Sequence, residues 1–331
     1  VKAQIINSFG KPTVFTLMDV PVPEIKPGHV LIKVHATSVN PIDCKVRSGA
    51  VAAIAPEFPA ILHGDVAGTV EIVGEDVSQF KKGDEVYGCA GGFRGLGGAL
   101  AEFMSVDAKL IATKPKSLSM QQAAALPLVC ITAWEALFEK AKLTKGMNIL
   151  IHGGVGGVGH IAVQLAKWAG AKVFTTVRKA VDFPIVKSFG ADEVINVQEE
   201  EVEKYKVRLT EDRGFPVIFD TVGGENLDKS FSAAALNGTV VTIAARSTHD
   251  LTPMHSKGLS LHCVLMLLPL LTNQHRERYG EILTKITEIV DQGKLKPLVD
   301  PHRFTLAEVT KAHELLESGQ AQGKVVITIK E

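Results

Sequence analysis

Apolar positions change their period once along the chain, near residue 120. Before that point short β-branched runs dominate, at 2–6, 14–20, 29–39, 69–73, 85–89 and 100–106. Pro21, Pro23, Pro27-Gly28, Gly74 and Lys82-Gly83-Asp84 separate them, and these residue types turn a chain between strands. Strands this close, with no helical period between them, predict a sandwich or partial barrel rather than βαβ units.

Beyond residue 120 the signals alternate. Ser119 with Gln122 three residues on reads as a helix start, a hydroxyl cap with its reciprocal amide. A second helix is expected over 129–142. Strands at 148–152, 172–177, 193–197, 217–220 and 239–244 then interleave with helices at 157–169, 182–189, 199–209 and 225–235, the pattern of a doubly wound parallel sheet. The apolar run 259–271 is too short to span a membrane, and His262 and Pro269 interrupt it. It reads as a buried strand running into a loop. The tail predicts a helix at 276–292, a strand at 298–304, a helix at 306–318 and a last strand at 324–329, which could pair with the N-terminal β region.

Composition narrows the class. The chain has 331 residues, 46% of them hydrophobic, with 36 basic and 36 acidic side chains. That is an ordinary globular balance with no electrostatic footprint for nucleic acid or an anionic membrane. Cys44, Cys89, Cys130 and Cys263 form no CxxC pair, which argues against a local zinc finger or a disulfide framework. No signal-like segment opens the sequence given, so a cytoplasmic enzyme or carrier is expected.

The strongest chemistry follows the strand at 148–152. Gly154, Gly156 and Gly159 fit G-x-G-x-x-G between a buried strand and an amphipathic helix, the setting that makes this spacing a dinucleotide loop. The first glycine is expected to take the turn, the second to admit a pyrophosphate and the third to let helix and strand pack closely. Gly154, Val155, Gly156, Gly157, Val158 and Gly159 are therefore the candidate phosphate cradle, and His152 reads as a plain strand-end residue. The next strand, with Thr176 near its end, lacks the acidic residue that usually bonds a ribose 2′-hydroxyl. Arg178 and Lys179 stand there instead. Charge-assisted bonds from them to a 2′-phosphate would contribute roughly 1.5–3 kcal/mol each, so NADPH is favoured over NADH. Asp220 and Val222, and then Ala244 and Ala245, end the next two strands at the carboxyl edge where cofactors bind.

The chain resembles the medium-chain dehydrogenase/reductase superfamily, specifically its zinc-independent quinone oxidoreductase (zeta-crystallin-like) branch. The motifs that carry the resemblance run the length of the chain: Ser38-Val39-Asn40-Pro41-Ile42-Asp43, Gly64-Asp65-Val66-Ala67-Gly68, Lys82-Gly83-Asp84, Ala125-Leu126-Pro127, Thr132-Ala133-Trp134, the glycine loop, Asp220-Thr221-Val222-Gly223-Gly224 and Gly323-Lys324-Val325-Val326. The resemblance implies an α/β chain of two domains: a β-rich GroES-like catalytic domain (1–126 and 267–331) and a Rossmann cofactor-binding domain (127–266), with the cofactor cleft between them. It implies that Asn40 lies beside the nicotinamide and orients it or the acceptor oxygen, that Asp43 holds neighbouring groups in place, and that Thr132 sits at the nicotinamide end. It also implies a homodimer or homotetramer paired through the strand near 260–266.

The same superfamily holds zinc alcohol dehydrogenases, which place Cys three residues before Asp43 and His four before Gly68. Those positions are Asn40 and Gly64, and His63 is one residue off, on the opposite face of an extended segment. Three protein ligands cannot be assembled, so no metal is expected. Without a Lewis acid, acceptors already activated for hydride are favoured, namely quinones and α,β-unsaturated carbonyls. The alternatives are an alcohol dehydrogenase of the same fold and a protein that holds NADPH without turnover. No tyrosine of the three sits in a proton-delivery motif. The loop 91–98, rich in glycine, reads as either a lid or a flexible connection, and Phe93 and 265–271 as candidates for an apolar acceptor pocket.

Overall fold

Six strands of the second half lie parallel in one sheet: β1 (Asn148–His152), β2 (Lys172–Val177), β3 (Glu193–Asn196), β4 (Phe215–Asp220), β5 (Ala234–Thr242) and β6 (Ser260–Cys263). Their spatial order is β3-β2-β1-β4-β5-β6, the doubly wound arrangement whose succession reverses between β1 and β4. The computed structural model describes residues 1–330. Ile149, Leu150 and Ile151 of β1 are all fully buried, because helices cover both faces of such a sheet. Leu150, Phe174, Ile218 and Phe231 share one core with Tyr205 and Phe215. Each large apolar side chain so buried contributes about 1.5–3 kcal/mol. This sheet belongs to a unit of residues 129–266 with 294–296.

The remaining unit comprises residues 1–128, 267–293 and the chain from Pro297 onward. Its main sheet has seven strands. The long strand His29–Val39 pairs antiparallel with Asp65–Val73, Phe103–Asp107 and Val325–Thr328. The last strand thus closes the N-terminal β region, as the sequence allows. A smaller sheet joins Thr16–Asp19, Lys2–Ile6 and Ala60–Ile61.

Several elements differ from the expectation. The β-rich third contains a helix, Pro41–Ser48, with proline in its first turn and Gly49 at φ +83° ending it. The 129–142 segment is an α-helix, Pro127–Trp134, that continues as a π-helix, Glu135–Lys140. The apolar run 259–271 does not hold a buried strand and a loop. β6 is an edge strand paired only to β5 and partly exposed, and Leu268–Thr272 is a short helix started by Pro269. Apolar runs this short carry no period that separates strand from helix. Thr252–Lys257 is a further helix, and the strand expected at 298–304 shrinks to Phe304–Thr305 and one bridge at Val299.

The loop 91–98 is packed at its ends and exposed at Arg94, Gly95 and Gly97. Phe93 is fully buried, and Arg94 donates to the carbonyl of Ala53. A Cβ at Gly92 would come within 2.6 Å of the His63 backbone and one at Gly98 within 2.0 Å of the Leu62 carbonyl. Those glycines serve close approach. Among the described residues no helix is long and apolar enough to cross a membrane.

Candidate dinucleotide loop and buried polar network

Between His152 and the helix Gly157–Trp168 the chain must reverse within four residues. Gly153 takes that turn at φ +77°, a conformation glycine adopts without a Cβ penalty; the motif spacing assigns it to Gly154. Gly154 is needed for room instead, since a Cβ there would sit 2.4 Å from Thr175 Oγ1. At Gly159 a Cβ would sit 2.0 Å from the Gly153 carbonyl oxygen, so the third glycine lets helix and turn, rather than helix and strand, approach closely. Gly156 differs from both. It is exposed, has an ordinary φ of −71°, and a Cβ there would meet only the Gly153 oxygen, at 3.2 Å. No side chain caps the helix that it begins. The first N–H groups of a helix lack partners within it, so Gly157 and Val158, both partly exposed next to Val155, offer donors suited to an anion.

Thr176 holds this loop. The Gly153 N–H donates to its hydroxyl at 3.1 Å and the Gly154 N–H to its carbonyl at 2.9 Å. The same hydroxyl lies 3.2 Å from His152 Nδ1, and burial pushes the imidazole down to about 4. Two residues past Thr176, Arg178 and Lys179 are exposed and make no ion pair among the described residues. Asp220 is fully buried, and its carboxylate is occupied by its own loop. It accepts the N–H groups of Val222 and Gly223, the Asn226 amide and the Ser230 hydroxyl, at 2.8–3.1 Å. Its side chain is therefore a brace for Val222 and Gly223. A Cβ on Gly223 would lie 2.4 Å from the Ala244 carbonyl, so the loops after β4 and β5 touch, and Ala245 beyond them is exposed. His152, Asp220 and Thr242 are in register, which brings these loops to one edge of the sheet. Thr132 is buried within the helix Pro127–Trp134.

In the other unit, Asn40 and Asp43 are buried at the start of the Pro41–Ser48 helix. Asp43 accepts the Asn40 N–H at 2.8 Å, half of a capping box. Burial, together with the negative charge of Asp65, raises its carboxyl to about 7. The Asn40 amide donates from Nδ2 to Asp65 Oδ2 at 2.8 Å and accepts at Oδ1 from Lys324 Nζ. Asp65 also accepts the Ser38 hydroxyl and the Leu128 N–H, and Lys324 Nζ lies 3.5 Å from its Oδ2. Asp65, Lys324 and Ser38 belong to quoted motifs, yet sequence reasoning assigns them no role. Their positions at three distant points of the chain give no local signal of a shared buried site.

A neutral chain of hydrogen bonds runs beside this network. The Thr37 hydroxyl donates to the Asp65 carbonyl at 2.6 Å, so at 3.3 Å it can only accept from His63 Nδ1. His63 Nε2 must then accept from His313 Nε2 at 2.9 Å, and His313 Nδ1 from the Cys44 thiol at 3.4 Å. Burial keeps every member uncharged: His63 lies well below the usual imidazole range, His313 falls to about 3 and Cys44 rises to about 12. All four cysteines are free thiols, with Cys263 alone exposed. Among the described residues no three His, Cys, Asp or Glu side chains are grouped to hold a metal.

The chain matches the family model of the alcohol dehydrogenase GroES-like domain over residues 26–116 and that of the zinc-binding dehydrogenase over 189–327. It is 37% identical to the 2-methylene-furan-3-one reductase of Solanum lycopersicum and 34% to the chloroplastic NADPH-dependent alkenal/one oxidoreductase of Arabidopsis thaliana, each over 99% of this chain and 79% of the relative. Identity to the quinone oxidoreductase of Homo sapiens is 32%, over 99% and 98% of the two chains. Among solved structures, an alcohol dehydrogenase superfamily protein from Novosphingobium aromaticivorans is similar with a TM-score of 0.95 and 40% identity over 99% of both chains. The Escherichia coli quinone oxidoreductase complexed with NADPH is similar with a TM-score of 0.89 and 26% identity over 99% and 100%. A GroES-like β unit, a Rossmann sheet and a nicotinamide-type loop therefore come together in an oxidoreductase of small molecules, and the chain belongs to the medium-chain dehydrogenase/reductase superfamily, among relatives of the quinone oxidoreductase type.

Proposed function

We propose that the protein is an NADPH-dependent reductase of quinones or α,β-unsaturated carbonyls that works without zinc. The observation that carries this reading is the exposed pair Arg178–Lys179 two residues beyond the loop anchor Thr176, where an NAD site would place a carboxylate. The residues fit the cofactor: an uncapped helix start and an exposed Gly156 leave donors and space for a pyrophosphate, and two cations suit a 2′-phosphate. When bound, the reduced nicotinamide supplies hydride. Gly157 and Val158 hold the pyrophosphate through N–H groups in the space that Gly156 leaves, Arg178 and Lys179 pair with the 2′-phosphate, and Thr176 and Asp220 keep their loops in place. Backbone groups of Ala244 and Ala245 serve the carboxamide, with Thr132 at the nicotinamide end. The Asn40 amide, set in place by Asp65 and Lys324, orients the acceptor oxygen; Asp43 positions Asn40.

The donor set supports chemistry without zinc. Asn40 stands where a thiolate ligand would be, and both ring nitrogens of His63 are engaged by Thr37 and His313. NADPH oxidation by a panel of quinones and enones is expected to persist in chelator; activity lost with removal of a stoichiometric zinc would overturn this reading in favour of an alcohol dehydrogenase.

NADPH is expected to bind at least tenfold more tightly than NADH, and Arg178→Ala to remove most of that preference, because a charge-assisted bond of about 1.5–3 kcal/mol is worth roughly 10–150-fold. Fluorescence titration of both nucleotides measures it. Equal affinities in the wild type would sink the NADPH assignment.

A homodimer, or a tetramer built from dimers, fits the exposed edge strand β6, since unpaired strand edges are seldom left bare. Light scattering at micromolar concentration should return at least twice the mass of the chain, and a monomer would refute pairing through β6.

A further inference from the structure

A second acid–base cluster lies on the parallel-sheet unit, outside the dinucleotide loop. The segment after β5 carries Ser247 and His249, and the helix Glu225–Ala233, which follows β4, carries Asp228 in its first turn. Ser247 Oγ lies 2.5 Å from His249 Nε2, and His249 Nδ1 lies 2.9 Å from Asp228 Oδ1. The His249 side chain is nine-tenths buried, and its ring meets that of Phe231 edge-on with centroids 6.2 Å apart, while Ser247 is exposed. A carboxylate at Nδ1 selects the tautomer with hydrogen there and turns Nε2 toward the hydroxyl. All three residues follow the carboxyl ends of β4 and β5, the edge at which a doubly wound sheet meets its ligands. Reduction of a carbon–carbon double bond needs a proton as well as hydride. The tyrosines do not offer one: all three are buried, and the Tyr87 hydroxyl donates to the Leu283 carbonyl.

We propose that Ser247, His249 and Asp228 form a proton relay for α,β-unsaturated carbonyl acceptors, a role that rests on the reading under Proposed function. Hydride brings its electron pair to the β-carbon and leaves an enolate. The Ser247 O–H bond breaks as its proton forms a C–H bond at the α-carbon. Water then protonates Nε2 of His249, whose Nδ1–H stays on Asp228, and the imidazolium so formed passes that proton to the Ser247 oxygen, restoring the O–H and the neutral ring. One hydride and one proton are added, and no other oxidant or reductant takes part. Asp228 stabilises the imidazolium. A quinone differs, because its reduced product takes its proton on oxygen, which water supplies rapidly without a positioned acid.

The test uses the full-length protein with NADPH, but-3-en-2-one and 1,4-benzoquinone. In Ser247→Ala and His249→Gln the ratio of enone to quinone turnover is expected to fall at least tenfold, since positioned acids contribute about 100-fold or more to such steps. In the ligand-free protein, proton–nitrogen NMR should show His249 protonated at Nδ1, and Asp228→Asn should disturb that signal. An unchanged ratio, or a His249 ring protonated at Nε2 alone, overturns the relay. A parallel loss with both acceptors also overturns it and makes the cluster structural. A wild type that reduces neither acceptor, yet binds NADPH, sinks the proposed function and with it the relay's task.

Discussion

Gly156→Val is expected to leave the fold intact and weaken dinucleotide binding at least 100-fold, whereas Gly159→Ala should damage the loop itself. The two glycines sit three residues apart in one motif, but their surroundings differ. At Gly156 the φ is ordinary and the nearest obstacle to a Cβ is a single carbonyl oxygen at 3.2 Å, so a side chain would project into the space left for the pyrophosphate. A 100-fold loss corresponds to about 2.7 kcal/mol, a cost that displacing a phosphate from several N–H donors readily exceeds. At Gly159 a Cβ would lie 2.0 Å from the Gly153 oxygen, so turn and helix must separate by more than an ångström. Overpacking of that kind costs about 1–3 kcal/mol before any ligand is added. Thermal unfolding together with NADPH titration distinguishes the two. A Gly156→Val protein that binds NADPH normally would show that the cradle lies elsewhere.

Acidification from pH 7 to about 4.5 should destabilise the protein. His63, His313 and His152 are buried and uncharged, with His313 lowered to about 3 and His152 to about 4 from an ordinary 6.5. Between those values and 6.5 the unfolded chain binds protons that the folded chain refuses, so stability falls as pH falls. Each unit by which a buried imidazole is lowered corresponds to about 1.4 kcal/mol of stability lost on acidification. Asp43 works in the opposite sense. Its folded-state value of about 7 lies above the ordinary 3.8, so between the two the folded chain holds the extra proton and gains up to about 3 kcal/mol on acidification. Three imidazoles outweigh one carboxyl. Urea midpoints across this pH range measure the slope, and Asp43→Asn should steepen it by deleting the opposing contribution. A flat profile would mean that these rings are hydrated or charged in the native state.

The helix at Pro41–Ser48 is legible from its local sequence. Asn40, Pro41, Asp43 and Gly49 are a cap, a first-turn proline, a capping acid and a terminating glycine in plain sequence. By contrast, Pro269 alone marks the short helix Leu268–Thr272, because a strand and a helix of so few apolar residues look alike.

By itself the sequence determined the alternation that makes a doubly wound sheet, the place of the glycine-rich turn after its first strand, and the basic pair that follows the next strand. Each is a short-range property: period, turn chemistry and charge act on neighbours within a few residues. Only the tertiary structure decided that Gly153 rather than Gly154 turns the loop, and that Asp220 and Thr176 spend their side chains on bracing. The same holds for the joining of Asn40, Asp65 and Lys324 in one buried network, and for that of Ser247, His249 and Asp228 in one chain of hydrogen bonds. The physical reason is desolvation. A polar side chain withdrawn from water must find partners wherever the fold puts them, and those partners are set by three-dimensional proximity, which spacing along the chain does not encode.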